Sequence, residues 1–505
     1  MKLKIFSLLI FSFFFMSFSN FLSAQSADKD KQLTDFIERV RSELEMIPAI
    51  SVAVSHLDDK KNTQPFAYTT GYTNIETKQK ATNSTGFYIA SSTKSFVGLL
   101  ACILEYEGKM DLKKPIIDYK PFSNFKEKAK FEGITINDLL SHQVGVDNEY
   151  LSSRLAYTGE YTEEEILKIT EQESEALETG KQFMYSNYGY YLFSMILKAE
   201  LGENWQDLLQ EKIFTPLEMK NSSAKVSDFD ENELAKPHHS TFGKDVQKSD
   251  FFKIDETMHA AGGVITSAED MANFLSFLLN DGNFKGKIIY PKAVLEKNQE
   301  KLVSATHDYI KIFEGNGYAR GWRIGDFEGK KVIYHFGGYH GFASHVSFLP
   351  NEKIGVSVVI NHSLGLDIGN LIAKYAYYLY LGDESAVKKL EKKSIKKLQK
   401  KFKRYNKSEV KYAEKLAKRE WMLSLPKEQY IGSYKSKNIG TVNVSYQDGK
   451  LLFTTGNVKS IATAYELEEC MRIELAPGNG IVIRFQIEDG KPVSFSFGED
   501  VFEKI

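Results

Sequence analysis

Residues 88–108 read YIASSTKSFVGLLACILEYEG and carry no charge between Lys94 and Glu105. A stretch this apolar is long enough for a helix but too short to cross a bilayer. Because it is apolar nearly all round, it predicts a helix buried in the middle of a large domain. Gly108 is placed to end that helix just past its last turn. The rest of the chain is expected to pack around this element.

Ser91 and Lys94 lie at the start of this predicted helix, three residues apart. Side chains at this spacing share a helix face, so the Lys94 amine is expected over the Ser91 hydroxyl. Burial disfavours the charged form of a lysine, and a helix N-terminus favours an anion on the serine. These are the conditions for an activated serine nucleophile. The same spacing recurs in polar or lysine-rich surroundings that indicate solvated surface, at Ser222/Lys225, Ser394/Lys397, Ser408/Lys411 and Ser424/Lys427.

The composition is that of an ordinary globular protein, with 505 residues of which 42% are hydrophobic. This length suits about two or three domains. A formal net charge of −2 argues against nucleic-acid binding. The two cysteines, Cys102 and Cys470, are far apart and make no zinc-binding spacing. No cofactor and no metal are predicted.

Residues 1–24 have the pattern of a secretory signal peptide, with Lys2 and Lys4 before an apolar run from Ile5 to Phe18. An uncleaved membrane anchor is the alternative interpretation. No later stretch is long and apolar enough to span a bilayer. The sequence therefore predicts an exported protein, periplasmic or extracellular, with no integral membrane domain after cleavage of the signal.

Three regions of different composition follow the leader. Residues 30–385 alternate helical patterns with a meander of antiparallel strands, which predicts an α+β fold with a sheet covered by helices. Residues 386–425 are dense in lysine with a thin apolar stripe. This favours a solvated linker helix over a basic helix on an anionic membrane. Residues 426–505 have strand–turn–strand signals and predict a small all-β domain.

Short motifs within residues 30–385 predict two further helix starts. Two other motifs contain histidines, and for these we favour neither a catalytic role nor a metal site. Thr135 to Asp138 and Thr266 to Glu269 have the spacing of capping boxes. His142 follows a helix end, where a hydrogen-bonded structural histidine is favoured over a catalytic one. His238 and His239 are adjacent, so their side chains diverge and no third ligand is evident, which disfavours a metal site.

An activated serine needs a base, an oxyanion hole and a group that orients its lysine. Tyr185 and Asn187 lie on one short segment. A tyrosine beside a buried lysine is expected to have a lowered phenol pKa and so to take and return protons. The Asn187 amide is placed to hold Lys94. His335, Gly337 and Gly338 follow a strand, where an exposed N–H paired with that of Ser91 would form the oxyanion hole.

These three motifs, in this order, resemble those of the serine β-lactamase and penicillin-binding-protein superfamily, in the branch related to class C enzymes, esterases and D-aminopeptidases. The resemblance extends from about Ile50 to Asn361. It also includes the segments IPAISVAV, ITINDLLSH, IFTPLEM and AGGVITSAEDMANF. It implies a β-lactamase/transpeptidase-like fold, and residues 426–505 look similar to the small β-barrel domain appended to some of these hydrolases.

The resemblance also implies a role for each motif residue. Ser91 becomes the acylated nucleophile, Lys94 its activating neighbour and Tyr185 the general base. Asn187 orients Lys94, and His335 stands where many relatives carry lysine. The N–H groups of Ser91 and Gly338 form the oxyanion hole, with Gly337 in the same motif.

Departures from the family pattern bear on the substrate. His335 is charged only part of the time, whereas a lysine would carry a permanent charge for a substrate carboxylate. Phe336 replaces the hydroxyl residue common in relatives that grip that carboxylate. We therefore expect an ester or a peptide/amide bond as substrate, in an esterase, D-amino-acid peptidase or carboxypeptidase-like enzyme. The alternative is a catalytically silent penicillin-binding or ligand-sensing protein on the same scaffold. The partner is a small molecule or peptide in either case, and the oligomeric state stays open.

Overall fold

The computed structural model describes residues 27–57, 63–178, 180–240, 245–306, 312–476 and 479–505, so the predicted signal peptide lies outside the described residues. The described helices are α1 (27–43), α2 (Thr93–Tyr106), α3 (Ile136–Leu140), α4 (Glu149–Ser153), α5 (Glu163–Glu173), α6 (Tyr188–Leu201), α7 (Trp205–Leu209), α8 (Ala268–Leu279), α9 (Lys292–Asn298), α10 (Leu366–Leu381) and α11 (Glu384–Ala417).

The described strands are β1 (Ala49–Leu57), β2 (Thr63–Asn74), β3 (Gln79–Lys80), β4 (Phe87–Tyr88), β5 (Val146–Asp147), β6 (Glu175–Ala176), β7 (His238–His239), β8 (Gln247–Lys248), β9 (Ile265–Thr266), β10 (Asn283–Phe284), β11 (Lys287–Ile288), β12 (Glu314–Tyr318), β13 (Arg323–Phe327), β14 (Lys330–Tyr339), β15 (Phe342–Leu349), β16 (Ile354–Ile360), β17 (Gly432–Ser436), β18 (Gly440–Gln447), β19 (Lys450–Thr455), β20 (Val458–Ile461), β21 (Thr463–Ala464), β22 (Cys470–Ala476), β23 (Asn479–Glu488), β24 (Lys491–Phe497) and β25 (Asp500–Lys504).

An antiparallel sheet with the order β12-β13-β14-β15-β16-β1-β2-β3 forms the frame of the first region. Its first strand along the chain lies in the interior, because Ile50 pairs with Thr70 on one side and with Ile360 on the other. The predicted hairpin of β1 and β2 is thus confirmed. So is the predicted α+β class.

Both faces of this sheet are buried, because alternate residues of a strand point to opposite sides. Along β1, Ala49 and Ala53 pack in the cluster that contains α2 and α8. Ile50 and Val52 pack in the cluster that contains α1, α10 and α11. The sheet is therefore a middle layer between two layers of helices. The site that follows lies at the layer of α2.

The helix α2 is buried as predicted, with Phe96, Val97, Leu99 and Leu100 fully shielded from solvent. It begins at Thr93, two residues after the predicted start at Ser91, and strand β4, which pairs with β9, precedes it. Ser91 therefore lies in a separate 3₁₀ turn, Ala90–Ser92, directly before the helix. Gly108 has a positive φ of 72° just past the helix, as its predicted role requires.

Gly98 lets α2 pack directly on the backbone before β13, and its replacement is expected to destabilise the fold. A Cβ at Gly98 would lie 2.0 Å from the carbonyl oxygen of Arg320. We expect Gly98→Ala to lower the free energy of unfolding by about 2 kcal/mol, because backbone atoms cannot move aside as a side chain can. Urea titration with Gly369→Ala as control tests this. At Gly369 in α10 a Cβ would meet its nearest atoms at 3.7 Å, so that variant should be at least as stable as the wild type, because alanine favours a helix over glycine by up to about 1 kcal/mol.

Two predicted capping boxes have different outcomes. Thr135 accepts a hydrogen bond from the backbone N–H of Asp138, whose side chain accepts one in return, so this box is confirmed. The box predicted at Thr266 is wrong by one position, because Ser267 is the N-cap of α8 and accepts from the N–H of Asp270. Thr266 instead continues strand β9, and its hydroxyl bonds that of Ser222 at 2.7 Å.

The C-terminal region is a nearly closed, barrel-shaped sheet with the order β20-β19-β18-β17-β25-β24-β23-β22-β21, which confirms the predicted barrel-like all-β fold. Its ends approach each other where the N–H of Glu474 in β22 donates to the Ser460 hydroxyl in β20. The interior holds large side chains such as Tyr434, Phe453 and Phe495.

The lysine-rich helix α11 connects the two regions and packs along α10 through Val387, Ile395 and Phe402. This is the narrow apolar stripe predicted from the sequence. The exact limits predicted for the linker, residues 386–425, stay a prediction. No helix in the described part of the chain is long and apolar enough to cross a membrane.

Candidate active site

The turn that carries Ser91 is clamped between the sheet and α2. Ala90 has a positive φ of 48°, which turns the chain sharply from β4 into the helix. The Ser92 and Ser344 hydroxyl oxygens lie 2.8 Å apart, and Ser344 also donates to the carbonyl oxygen of Ile89 at 2.6 Å. Strand β15 thus fixes both sides of the turn. The Ser91 hydroxyl is left facing a cavity.

Lys94 lies beneath Ser91 and is completely buried. Its Nζ atom donates to the Ser91 hydroxyl at 3.3 Å, to Oδ1 of Asn187 at 2.8 Å and to the carbonyl oxygen of Ala261 at 2.7 Å. Burial holds the pKa of Lys94 well below its usual range, and the nearby charge of Arg323 lowers it further. The predicted contact of Asn187 with Lys94 is present, and the amine is neutral at a lower pH than an exposed lysine.

Tyr185 completes the cluster, but its pKa moves in the direction opposite to our expectation. Burial raises the pKa of the phenol, while a hydrogen bond with Ser91 and the charge of Arg323 lower it to a lesser extent. The expected lowering by Lys94 fails for a physical reason. A buried amine that favours its neutral form offers no positive charge to stabilise a phenolate. Tyr185 is thus a protonated hydrogen-bond partner of Ser91 at neutral pH.

Of the third motif, Gly338 lines the cavity, whereas His335 and Gly337 lie behind it. Gly338 lines the cavity with Ser91, and no atom lies within 4 Å of where its Cβ would be. The α-carbon of Gly337 lies against the chain just before the Ser91 turn, since a Cβ there would lie 2.1 Å from the Ile89 carbonyl oxygen. The structure thus brings the backbone of Gly338 and the turn of Ser91 to one place.

His335 is buried behind the cavity and is not among its described lining residues. Its Nε2 lies 2.9 Å from the Tyr318 hydroxyl and its Nδ1 lies 2.8 Å from the carbonyl oxygen of Phe336. A carbonyl only accepts, so Nδ1 carries the proton and Nε2 accepts from Tyr318 in the neutral ring. The side chain contacts the Tyr185 ring at 6.3 Å between ring centroids.

The cavity has a volume of about 460 Å³ and an acidic side. Ser91, Tyr185, Asn187 and Gly338 face it from one side. Asp147 and Glu149 also line it, and its described lining residues include no lysine or arginine. Asp147 accepts a hydrogen bond from the Ser186 hydroxyl at 3.3 Å, and burial raises the pKa of its carboxyl group. A molecule in this cavity would face the carboxyl groups of Asp147 and Glu149, with no lysine or arginine among the described lining residues.

His142 has the structural role that the sequence favours, and it supports the site. Its Nδ1 accepts from the N–H of Ser186 at 3.2 Å, and its carbonyl oxygen accepts from the N–H of Met184 at 2.9 Å. Its ring lies 4.3 Å from that of Tyr185. Burial holds the pKa of His142 well below its usual range. The neutral ring thus fixes the Tyr185 segment from behind.

Four residues of the site have no motif in the sequence that would reveal them. Asp147 is the last residue of the short strand β5, and Glu149 is the first residue of α4. His259 lines the cavity, and burial together with Lys253 and Lys94 lowers its pKa strongly. The Arg323 guanidinium lies 5.2 Å from the centroid of the Tyr185 ring, and its Nη1 has no hydrogen-bond partner among the described residues.

Removal of the Arg323 charge is expected to shift the pH dependence of any reaction at Ser91 upward. Arg323 lowers the pKa values of both Lys94 and Tyr185, so both rise in Arg323→Met. If neutral Lys94 is the reactive form, the acid limb of a pH–rate profile moves to higher pH. At a fixed pH on that limb, a tenfold decrease in the acid dissociation constant of the Lys94 ammonium leaves about tenfold less neutral Lys94 and lowers the rate about tenfold. Arg39→Met removes an arginine over a different ring, that of Phe36, and should leave both limbs in place. A uniformly lower rate with unmoved limbs would indicate a purely structural effect.

The sequence disfavours a metal site at His238 and His239. His238 is fully buried, and its Nε2 accepts from the N–H of Ile75 at 3.3 Å, while burial lowers its pKa to about 4. No group of three or more His, Cys, Asp or Glu side chains that could hold a metal ion occurs within the described ranges.

Comparison with known proteins places this geometry in a family. The Beta-lactamase family matches residues 36–375. Protein flp of Staphylococcus aureus (strain MW2) is 25% identical over 297 residues, which are 58% of this chain and 56% of flp. This chain therefore spans about half the length of the curated relatives it matches.

Two solved structures share the fold. The octameric penicillin-binding protein homologue from Pyrococcus abyssi superposes with a TM-score of 0.57 and 23% identity, over 94% of this chain and 99% of that chain. D-amino acid amidase from Ochrobactrum anthropi SV3, in complex with L-phenylalanine amide, superposes with a TM-score of 0.58 and 22% identity, over 70% of this chain and 99% of that chain. The matched family covers well over half of the sequence and includes every residue of the cluster around Ser91, so this chain belongs to the Beta-lactamase family of serine hydrolase-like proteins.

Proposed function

We propose that this protein is an exported serine hydrolase that forms an acyl-enzyme at Ser91. The observation that carries the proposal is the set of three contacts of Lys94 Nζ, with Ser91, Asn187 and Ala261. In the neutral amine the two N–H groups donate to the oxygens of Asn187 and Ala261, which leaves the lone pair toward the Ser91 hydroxyl. A buried amine held in this way is a base aimed at a hydroxyl. Export rests on the sequence of residues 1–24 alone.

In the proposed acylation, neutral Lys94 takes the Ser91 proton as the hydroxyl oxygen attacks the substrate carbonyl. The N–H groups of Ser91 and Gly338 stabilise the resulting oxyanion. The Tyr185 phenol then donates its proton to the leaving nitrogen or oxygen, and the phenolate regains a proton from the Lys94 ammonium. This returns both groups to the protonation states that burial favours.

In the proposed deacylation, a water molecule replaces the leaving group. Lys94 accepts its proton during attack on the acyl carbonyl and returns the proton to Ser91 as the ester bond breaks. The general base is therefore Lys94, and Tyr185 acts mainly as a general acid. This differs from the role that the family resemblance implies for Tyr185, and the raised pKa of the phenol is the reason.

The substrate class follows from the charge of the cavity. Asp147 and Glu149 suit a protonated amine on the substrate, and no exposed lysine or arginine among the described lining residues offers a partner for a carboxylate. We propose an amide or ester of an amino acid, or a peptide with a free amino terminus. The related fold of D-amino acid amidase, crystallised with L-phenylalanine amide, supports an amide substrate.

Covalent labelling with a fluorophosphonate tests the proposal. The wild type should become labelled at Ser91, and Ser91→Ala should not. Ser408→Ala is a matched control, because Ser408 shares the Ser-x-x-Lys spacing but lies on the exposed surface of α11. Labelling followed by turnover of D- or L-amino-acid p-nitroanilides supports the proposal. A stable adduct without turnover of any ester or amide would favour the silent ligand-sensing alternative, and unlabelled folded protein would contradict both.

A further inference from the structure

One side of the cavity is a segment of residues 147–158, here named the cleft wall. Its inner face lines the cavity with Glu149, Ser152 and Tyr157. It consists of the single-turn helix α4 followed by a π-helical turn, Arg154–Thr158. Such short helical pieces are not stable alone in water, so their position depends on contacts with the rest of the molecule. These contacts decide the shape of the cavity.

The outer face of the cleft wall lies against the C-terminal sheet. The Asn148 amide donates to Oδ1 of Asn438 at 3.1 Å. The Tyr150 hydroxyl accepts from the N–H of Glu499 at 3.0 Å and donates to the carbonyl oxygen of Phe497 at 3.4 Å. The wall is therefore held between the substrate cavity and the barrel-shaped sheet.

The tightest contact is made by the two-residue turn Gly456–Asn457 between β19 and β20. The N–H of Asn457 donates to the carbonyl oxygen of Thr158 at 2.8 Å, at the end of the cleft wall. Its side chain donates to the carbonyl oxygen of Phe252 at 2.7 Å. A Cβ at Gly456 would lie 2.1 Å from the Thr158 oxygen, so only glycine permits this approach.

Lys253, the residue after Phe252, binds the same wall from the other side. It is 2% exposed, and its Nζ donates to the carbonyl oxygens of Ala156 in the wall and, at 3.1 Å, of Thr257. The Nζ atom lies 4.2 Å from the ring centroid of Tyr339 and 5.6 Å from that of Tyr157, two tyrosines that line the cavity. The Gly456–Asn457 turn thus contacts both the cleft wall, at Thr158, and the loop of Phe252 and Lys253, and Lys253 in turn binds the wall at Ala156.

We propose that the Gly456–Asn457 turn and Lys253 act together as positioning residues that hold the cleft wall, so that the C-terminal sheet selects which substrates reach Ser91. This inference rests on the proposed function and deepens it. The described residues that line the cavity include none from the C-terminal sheet, so the sheet acts through the wall and not by contact with substrate. Movement of the wall would displace Glu149 and Tyr157 but leave the Ser91, Lys94 and Asn187 contacts intact.

Gly456→Ala is the informative variant, and Gly490→Ala is its matched control. Both glycines lie in two-residue hairpin turns of the same sheet with positive φ, 50° and 71°. No atom lies within 4 Å of a Cβ at Gly490, so its replacement brings the same kind of backbone strain without touching the wall. Asn457→Ala, which removes only the side-chain bond to Phe252, and Lys253→Met serve as milder and independent variants in case Gly456→Ala does not fold.

Two measurements on the full chain decide the proposal. The first is the ratio of the rate constants for Ser91 labelling by a bulky and by a methyl-sized fluorophosphonate. We expect Gly456→Ala to change this ratio at least fivefold, with the small probe within twofold of wild type and Gly490→Ala unchanged for both. The second is amide hydrogen exchange of residues 149–158, which should accelerate at least tenfold in Gly456→Ala and not in Gly490→Ala.

The outcomes separate this inference from the proposed function. Normal labelling with a ratio and an exchange rate equal to those of Gly490→Ala would overturn the role of the turn and leave the hydrolase intact. Absence of labelling in the wild type would remove the hydrolase and with it substrate selection. The exchange rates would then still decide whether the turn holds the wall. An altered ratio in Lys253→Met or Asn457→Ala, with unchanged small-probe labelling, would support the proposal independently.

Discussion

Replacement of Lys94 by methionine is expected to lower the rate of Ser91 acylation by about a thousandfold, which is the usual range for loss of a general base. Methionine fills the same buried space without an amine. The hydroxyl then loses its acceptor, since the Tyr185 phenol holds its own proton. The rate of labelling by a small fluorophosphonate, measured across pH, reports this loss. The remaining rate should also lose the acid limb that belongs to Lys94.

Lys411→Met is the matched control for this variant, because Lys411 has the same spacing from Ser408 on an exposed helix. It should label at the wild-type rate. Lys94 also donates to Asn187 and Ala261, so the fold of Lys94→Met has to be compared by circular dichroism and thermal unfolding. A well-folded Lys94→Met that labels within tenfold of the wild type would assign the base to another group.

Neutralisation of the two acidic groups in the cavity is expected to abolish the preference for substrates with a free amine. In Asp147→Asn/Glu149→Gln we expect kcat/KM for an amino-acid p-nitroanilide to fall about 10- to 100-fold. A charge-assisted contact contributes about 1.5–3 kcal/mol, and 1.4 kcal/mol corresponds to a factor of ten. The N-acetylated form of the same substrate should change little. The measured quantity is the ratio of kcat/KM for the two substrates.

The pH dependence of this preference provides a second test. Burial raises the pKa of Asp147, so its charge is lost at a higher pH than that of an exposed aspartate as the solution becomes acidic. The preference for the amine should therefore weaken as pH falls through that range. Glu132→Gln, at an exposed position outside the cavity, should leave the ratio unchanged. An equal loss for the free and acetylated substrates would show that the acids support the structure and do not recognise an amine.

The general fold could be predicted from the sequence because its signals are local. The alternation of strand and turn residues in β1 and β2, and the Asp-Gly turns of the C-terminal sheet, depend on neighbours a few residues apart. The errors have the same origin. The cap of α8 lies at Ser267 and not at Thr266, because Thr266 is held in strand β9 by pairing with Phe87, far away along the chain. The helix α2 begins two residues after the predicted Ser91, because Ala90–Ser92 forms a 3₁₀ turn.

The candidate site could be predicted only where a motif marks it. Ser91, Lys94, Tyr185, Asn187 and Gly338 follow from spacing and resemblance, and the structure brings them together at one cavity or directly beneath it. The predicted direction of the Tyr185 pKa is wrong, because the burial of phenol and amine together is a property of packing. The acidic residues of the cavity escape prediction, because nothing local distinguishes Asp147 and Glu149 from surface acids.

The sequence by itself determined where the candidate chemistry lies. Ser91 and Lys94 are three residues apart at the entrance of an apolar helix, and burial of that helix, a local consequence of its composition, takes Lys94 with it and leaves Ser91 at the cavity. Only the tertiary structure decided which proton acceptor is neutral, which charges face the substrate and what supports the cleft wall. These properties arise from the summed desolvation and contacts of segments hundreds of residues apart, such as Thr158 and Asn457. They cannot be predicted from a short stretch of sequence.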